Sequence, residues 1–335
     1  MMTFPEFMRK YLTLLVALSI FTALLNGYYA SDVKTLKLAI PFLLFVMLYP
    51  MMINLRVEDI GKALKDWRLF SVAILMNFLL TPILGALWTY FLFSHADPYL
   101  AAGFILKVTV PCSGMVAAWT GYAKGKVESA LVLVALSMVL AIFLVPFSMW
   151  AVAGMYVAID PWMIFQKMLL IVVLPLAAGL LTRKILVRKY GPKNYKQQIA
   201  PYFPAISTCG MLCMVFIIIS TQAKLIMSNF QWMLLVILGI GTLYPILFGL
   251  AILFCKLAHM NYGDSMAVGY SVAAKNHAIT IGIATTAFGG TLAVLPAAVA
   301  PIIQIPTMLL YLSLSKRIKK FLYSGDVQAY DISRH

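Results

Sequence analysis

The chain has 335 residues, of which 63% are hydrophobic and only 11% are charged. About a quarter of the residues of a soluble domain are charged, so this composition excludes a soluble fold. The 26 Lys and Arg against 11 Asp and Glu give a formal net charge of +15.

Apolar stretches of about 20 residues, long enough to cross a hydrocarbon core of about 30 Å, follow one another along the chain. Ten are predicted, at 9–28, 37–56, 68–93, 99–121, 127–155, 161–183, 203–224, 231–258, 264–288 and 291–316. The connections are too short to hold a soluble domain. The sequence therefore predicts an all-α polytopic membrane protein with ten transmembrane helices.

The basic residues are distributed unevenly between the two sets of loops. Twenty Lys and Arg lie in the loops and termini on one side, three (Lys34, Lys37 and Lys224) lie on the other, and three (Lys107, Lys167 and Lys275) lie within spans. Basic loops stay in the cytoplasm. We therefore expect a plasma-membrane protein with both termini cytoplasmic, and the positive charge indicates orientation rather than nucleic-acid binding.

Two spans are interrupted in the middle, at Pro111-Cys112-Ser113-Gly114 and at Ala274-Lys275-Asn276-His277. The interruptions are 163 residues apart, as are Pro82-Ile83-Leu84 and Pro245-Ile246-Leu247. Paired breaks in two halves are typical of secondary transporters built from repeats, with the substrate site where the breaks meet. Because each half holds five spans, we expect an inverted repeat of residues 1–156 and 157–335.

The residues at each break indicate how it forms. Pro111 removes one backbone donor, Ser113 is expected to cap the second half-helix, and Gly114 allows a close approach. In the second interruption the helix is expected to end at Ala274 and to restart with Asn276 as its cap.

Lys275 is the deepest charge in the sequence. It follows Asp264 by eleven residues, hence about 16 Å along a helix, and none of the eleven acidic residues lies deep in a span. An ionisable group at that depth indicates function by default. The alternative is a lysine held neutral, or a structural one bonded to carbonyls of the fourth span. Lys107 is expected to extend its amine outward to the membrane surface.

Two half-helix N-termini and an ammonium group at one point favour an anion or a neutral oxyacid as substrate. The candidate binding residues are Asn77, Cys112, Ser113, Lys275, Asn276, His277, Thr280 and Gln304. The Cys112 thiol is suited to a thiophilic substrate, although a small space-filling role explains it about as well. Cys209 and Cys213 share one helix face, and packing is favoured over soft-ligand binding for both.

At these residues the chain resembles the superfamily of bile acid:sodium symporters and arsenite permeases of the third arsenical-resistance class. Pro111-Cys112-Ser113-Gly114-Met115-Val116 is similar to the Pro-Cys-Thr-Ala-Met-Val segment of the permeases. Tyr122-Ala123-Lys124-Gly125 resembles a turn of the symporters, and Pro301-Ile302-Ile303-Gln304-Ile305-Pro306 resembles the last permease helix. The resemblance implies ten helices, a panel and a core domain, and broken helices 4 and 9 that cross.

The chain departs from both patterns at the residues that would bind ions. Where the symporters hold sodium, it has Val116, Ala117, Ala130, Val134, Ser271 and Lys275. Few side-chain oxygens remain there and a cation is added, which disfavours sodium coupling. The acidic residue of the permeases in helix 9 is also missing, since Lys275-Asn276-His277-Ala278 stands in its place.

The sequence thus predicts a secondary transporter that moves arsenite or a small anion, either coupled to protons or uncoupled. The first alternative is an organic anion:sodium transporter like the bile-acid symporters. An alternative of another class is a membrane sensor that does not transport. No enzyme activity, cofactor or metal site is expected, and the partners are the substrate and the lipid bilayer.

Overall fold

The computed structural model describes residues 3–29, 35–54, 66–289 and 291–323, and within these residues every regular element is a helix. The α-helices are α1 (Phe4–Lys10), α2 (Leu12–Tyr29), α3 (Ile40–Ile53), α4 (Trp67–Ile74), α5 (Thr81–Phe93), α6 (Pro98–Thr109), α7 (Met115–Tyr122), α8 (Val127–Ser148), α9 (Pro161–Met168), α10 (Leu174–Tyr190), α11 (Pro192–Asn194), α12 (Tyr202–Ser228), α13 (Phe230–Leu257), α14 (Tyr262–Ala273), α15 (His277–Ala287), α16 (Leu295–Ser313) and α17 (Ser315–Leu322). Short 3-10 segments (Thr35–Ala39, Leu292–Val294) and π-helical segments (Leu75–Leu80, Met149–Ala153, Leu169–Val173, Tyr195–Ile199) adjoin them.

Seven helical runs among the described residues are long and apolar enough to cross a membrane, namely Leu12–Tyr29, Trp67–Phe93, Val127–Ala153, Pro161–Tyr190, Pro192–Ser228, Phe230–Leu257 and Leu292–Ser313. The other three predicted spans contain the shorter apolar helices Ile40–Ile53, Pro98–Thr109 and His277–Ala287. The prediction of an all-helical, multi-pass protein is therefore confirmed, and the count of ten spans stays a prediction.

The helices pack in two groups. In the first, α12 lies along α2 and α3, and α10 lies along α3. In the second, α13 packs on α14 and α16, α5 packs on α6, and α8 packs on α7 and α14. Small residues allow the closest approaches: a Cβ on Gly27 of α2 would lie 2.0 Å from the Ser220 carbonyl oxygen of α12. Both interrupted helices belong to the second group.

Candidate functional site

The two interruptions meet. The chain is unwound between α6 and α7 and again between α14 and α15, and Cys112 pairs with Lys275 as an isolated antiparallel bridge. The Ser113 N–H donates to the Ala274 carbonyl at 2.8 Å, and the Asn276 N–H donates to the Pro111 carbonyl at 3.0 Å. Each unwound segment thus satisfies backbone groups of the other, which lets irregular chain lie inside a membrane protein. We call residues 110–114 and 274–276 the crossover.

The two half-helices beyond the crossover begin in different ways. The Asn276 side chain caps α15 by accepting the Ile279 N–H at 3.1 Å. The expected cap by Ser113 is wrong, because α7 begins after Gly114 and the Ser113 hydroxyl finds no partner among the described residues. The backbone of Ser113 is held by its pairing with Ala274, so the helix starts one residue later.

Lys275 is fully buried and has one side-chain acceptor. Its Nζ donates to Asn77 Oδ1 at 2.9 Å, and Asn77 Nδ2 donates to the Ala73 carbonyl and to Ser271 Oγ, at 3.0 and 3.2 Å. Asn77 lies in the π-helical segment between α4 and α5, an irregularity that is common at functional sites. The partner of Lys275 is therefore an amide side chain, not the carbonyls of the fourth span.

Lys107 lies on α6 one turn before the crossover and is also 0% exposed. The expectation that its amine reaches the membrane surface is wrong, since α6 is covered on all sides from Leu100 to Thr109. Its Nζ has no hydrogen-bond partner in the described part of the chain. It lies close enough to Lys275 and His277 for the charges to interact. The sequence showed only the depth of Lys107, not the neighbours that cover it.

Three other candidate residues also have buried polar atoms that no described residue satisfies. They are Ser113 Oγ, His277 Nδ1 and Gln304 Oε1. Thr280 differs, because its hydroxyl donates to the Asn276 carbonyl at 2.7 Å. A buried polar group without a partner is costly, so bound water or a polar ligand is the expected partner of each.

The thiol of Cys112 faces α8. It is buried at the crossover with Sγ 3.1 Å from Ser137 Oγ. Cys209 and Cys213 lie on α12, and Cys213 is exposed. Among the described residues no group of three or more His, Cys, Asp or Glu could hold a metal ion.

The end of α7 away from the crossover is anchored by a buried carboxylate. Asp264, near the start of α14, accepts hydrogen bonds from Ser129 and from Asn261 Nδ2, and the Lys126 ammonium lies 3.5 Å away. The Lys126 N–H also donates to the Gly263 carbonyl at 3.1 Å. These bonds fix the turn after α7 to the start of α14, so the two halves of the crossover are held at a second point.

The chain was compared with known proteins once this geometry was clear. The profile of the Sodium Bile acid symporter family matches residues 41–229, more than half of the chain. The arsenical-resistance protein Acr3 of Alkaliphilus metalliredigens is 28% identical and covers 93% of both chains. The Acr3 protein of Corynebacterium glutamicum is 25% identical over 90% of this chain and 87% of its own length.

A plant relative matches less of its own length. The probable sodium/metabolite cotransporter BASS1 of Oryza sativa is 25% identical over 74% of this chain and 59% of that protein. The resemblance at the interrupted helices is thereby confirmed. The chain belongs to the Sodium Bile acid symporter family and is a multi-pass membrane transporter of that family.

Proposed function

We propose that the protein is a secondary transporter of arsenite or a small oxyanion, either proton-coupled or uncoupled, in the plasma membrane with both termini cytoplasmic. One observation carries this proposal. At the crossover, buried polar groups from four elements lack partners among the described residues, and two of them, Lys107 Nζ and Ser113 Oγ, are donors. An arsenite or oxyanion oxygen is the acceptor that such groups need.

The electrostatics at the crossover support the same substrate class. Two half-helices, α7 and α15, have their N-termini there, and free N–H groups at helix N-termini favour anions. Lys107 and Lys275 add two buried amines. Asp264 is the buried carboxylate nearest to the crossover in sequence, and it is already bonded at the far end of α14. We infer that the substrate supplies negative charge or lone pairs.

The Lys275 network argues against sodium coupling. Ser271, one of the positions where the resemblance places sodium ligands, accepts a hydrogen bond from Asn77, which in turn accepts one from Lys275. A fixed ammonium group therefore lies where a sodium ion would have to bind, and repulsion opposes that ion. We expect transport to continue when choline replaces sodium.

The pairing at the crossover supports the inverted repeat of residues 1–156 and 157–335. Cys112 and Lys275 are 163 residues apart, which is also the offset of the repeated Pro-Ile-Leu motif. Under that offset the bond from Ser113 to Ala274 becomes the bond from Asn276 to Pro111. A two-fold axis between Cys112 and Lys275 explains this exchange. We propose ten spans in two halves, with panel and core domains drawn from both.

Arsenite accumulation in everted vesicles tests the proposal. We expect wild-type protein to accumulate arsenite in sodium-free buffer, and Lys275→Ala to abolish accumulation at normal expression. Lys275→Gln keeps a donor for Asn77 without the charge, so activity restored in this variant would show that the charge is dispensable. Lys167→Ala, at a partly exposed lysine of α9, is the control.

Three outcomes would change the assignment. Wild-type rates in Lys275→Ala would contradict a central role for the lysine. Loss of accumulation in Cys112→Ser would indicate that the thiol contacts arsenite, although it faces Ser137 in this conformation. Well-expressed protein that carries neither arsenite nor another oxyanion would favour a membrane sensor.

A further inference from the structure

Met51 of α3 lies over the crossover. Asn276 Nδ2 donates to the Met51 thioether sulfur at 3.6 Å. The Met51 Cε lies 3.7 Å from the position that a Cβ on Gly114 would take. Gly114 and Asn276 are the N-cap residues of α7 and α15, so one flexible side chain from the first helix group covers both half-helix N-termini.

The amide of Asn276 is fixed by its own cap. Because Oδ1 accepts the Ile279 N–H, Nδ2 is directed toward α3. The acceptor that it finds there is a thioether, which is a weak acceptor. An oxygen atom of a substrate would accept a stronger hydrogen bond from the same group.

An exposed strip of small residues on α7 leads to this point. Gly114, Ala118 and Gly121, spaced at four and three residues, lie on one face of α7 and are exposed. On the opposite side of the crossover, Gly282 of α15 packs against Leu44 and Ile171, whose side chains lie 3.3 and 3.4 Å from the position of a Cβ. The way to the half-helix N-termini therefore runs along α7 and ends at Met51.

We propose that Met51 is a displaceable gate residue that takes the place of a substrate oxygen beside Asn276 until substrate binds. This inference rests on the proposed function, because it concerns the same crossover. Met51 competes with the substrate for Asn276 Nδ2 and for the space above Gly114. It therefore weakens substrate binding and limits the size of the group that enters.

Two substitutions of Met51 test the competition. Met51→Leu keeps the volume and removes the sulfur acceptor, whereas Met51→Ala removes both. We expect the KM for arsenite in everted vesicles to fall roughly two- to tenfold in each, the effect of one weak competing hydrogen bond. Met52→Leu is the matched control, since Met52 is fully buried and its backbone packs against Gly179 of α10. A wild-type KM in both Met51 variants would overturn the inference.

Cysteine labelling tests the position of Met51 without any substrate. In a background with Cys209→Ser and Cys213→Ser, we expect Met51→Cys to react with a membrane-impermeant maleimide in everted vesicles much faster than Met52→Cys. Equal labelling of the two would overturn the inference whatever the transport assay shows. Labelling of Met51→Cys in a protein whose wild type carries no arsenite would instead overturn the proposed function.

Discussion

Two fully buried lysines near the crossover differ in their hydrogen bonds. Lys275 has an amide oxygen as acceptor, whereas Lys107 has no acceptor among the described residues. An unpaired ammonium group inside a protein costs several kcal/mol or loses its proton. Such a group is retained where something pairs with it during the working cycle. For Lys107 the proposed oxyanion is that partner.

Replacement of Lys107 by methionine should separate stability from transport. Because Met fills a similar volume and removes an unpaired amine, we expect the free energy of unfolding in detergent to stay the same or to rise by about 1 kcal/mol. Arsenite uptake should fall at least about tenfold, the effect of losing one charge-assisted hydrogen bond. Lys167→Met should change neither quantity. A loss of stability above about 2 kcal/mol would show that the Lys107 amine is bonded in the folded protein.

The two half-helices α7 and α15 occupy equivalent places but have different caps. Ser113 and Asn276 are 163 residues apart, and both pair through their backbones with the opposite break. Only the asparagine reaches the third residue of its helix, by accepting the Ile279 N–H. The N-terminus of α7 keeps its donors free of any side-chain cap, and those donors are available to a ligand.

Alanine substitutions at the two positions should have unequal effects. Asn276→Ala removes a helix cap, so we expect the free energy of unfolding in detergent to fall by about 1 kcal/mol. Ser113→Ala removes a hydroxyl without a described partner, so stability should be unchanged or slightly higher. Thermal unfolding of both purified variants checks this contrast. A larger loss in Ser113→Ala would mean that its hydroxyl is bonded after all.

The whole molecule is packed unevenly on the two sides of the crossover. Gly282 brings α15 against Leu44 of α3 and Ile171, which lies between α9 and α10, so the two helix groups touch there. Along α7 the exposed glycines and Ala118 leave the other side open. In a transporter that alternates between two faces, this is the arrangement expected for one end state.

A larger residue at Gly282 should shift the balance between the two faces. Gly282→Val adds atoms to a contact already at 3.3 to 3.5 Å, and overpacking costs about 1–3 kcal/mol. We expect labelling of Ala118→Cys in everted vesicles to slow by roughly fivefold or more, because the population moves to the other face. Gly249→Val, with open space around it, is the control. Unchanged labelling in Gly282→Val would contradict a gating role for this contact.

The sequence by itself determined the features that can be read along one helix. The apolar spans, the two interruptions, the cap by Asn276 and the depth of Lys275 all follow from local spacing and from the chemistry of single residues. The tertiary structure alone decided that Asn77 pairs with Lys275, that Lys107 is covered, that Ser113 caps nothing and that Met51 lies over Gly114. The physical reason is that local spacing gives position along a helix, whereas the neighbours on each side come from segments up to about 200 residues away, and their packing sets burial and hydrogen-bond partners.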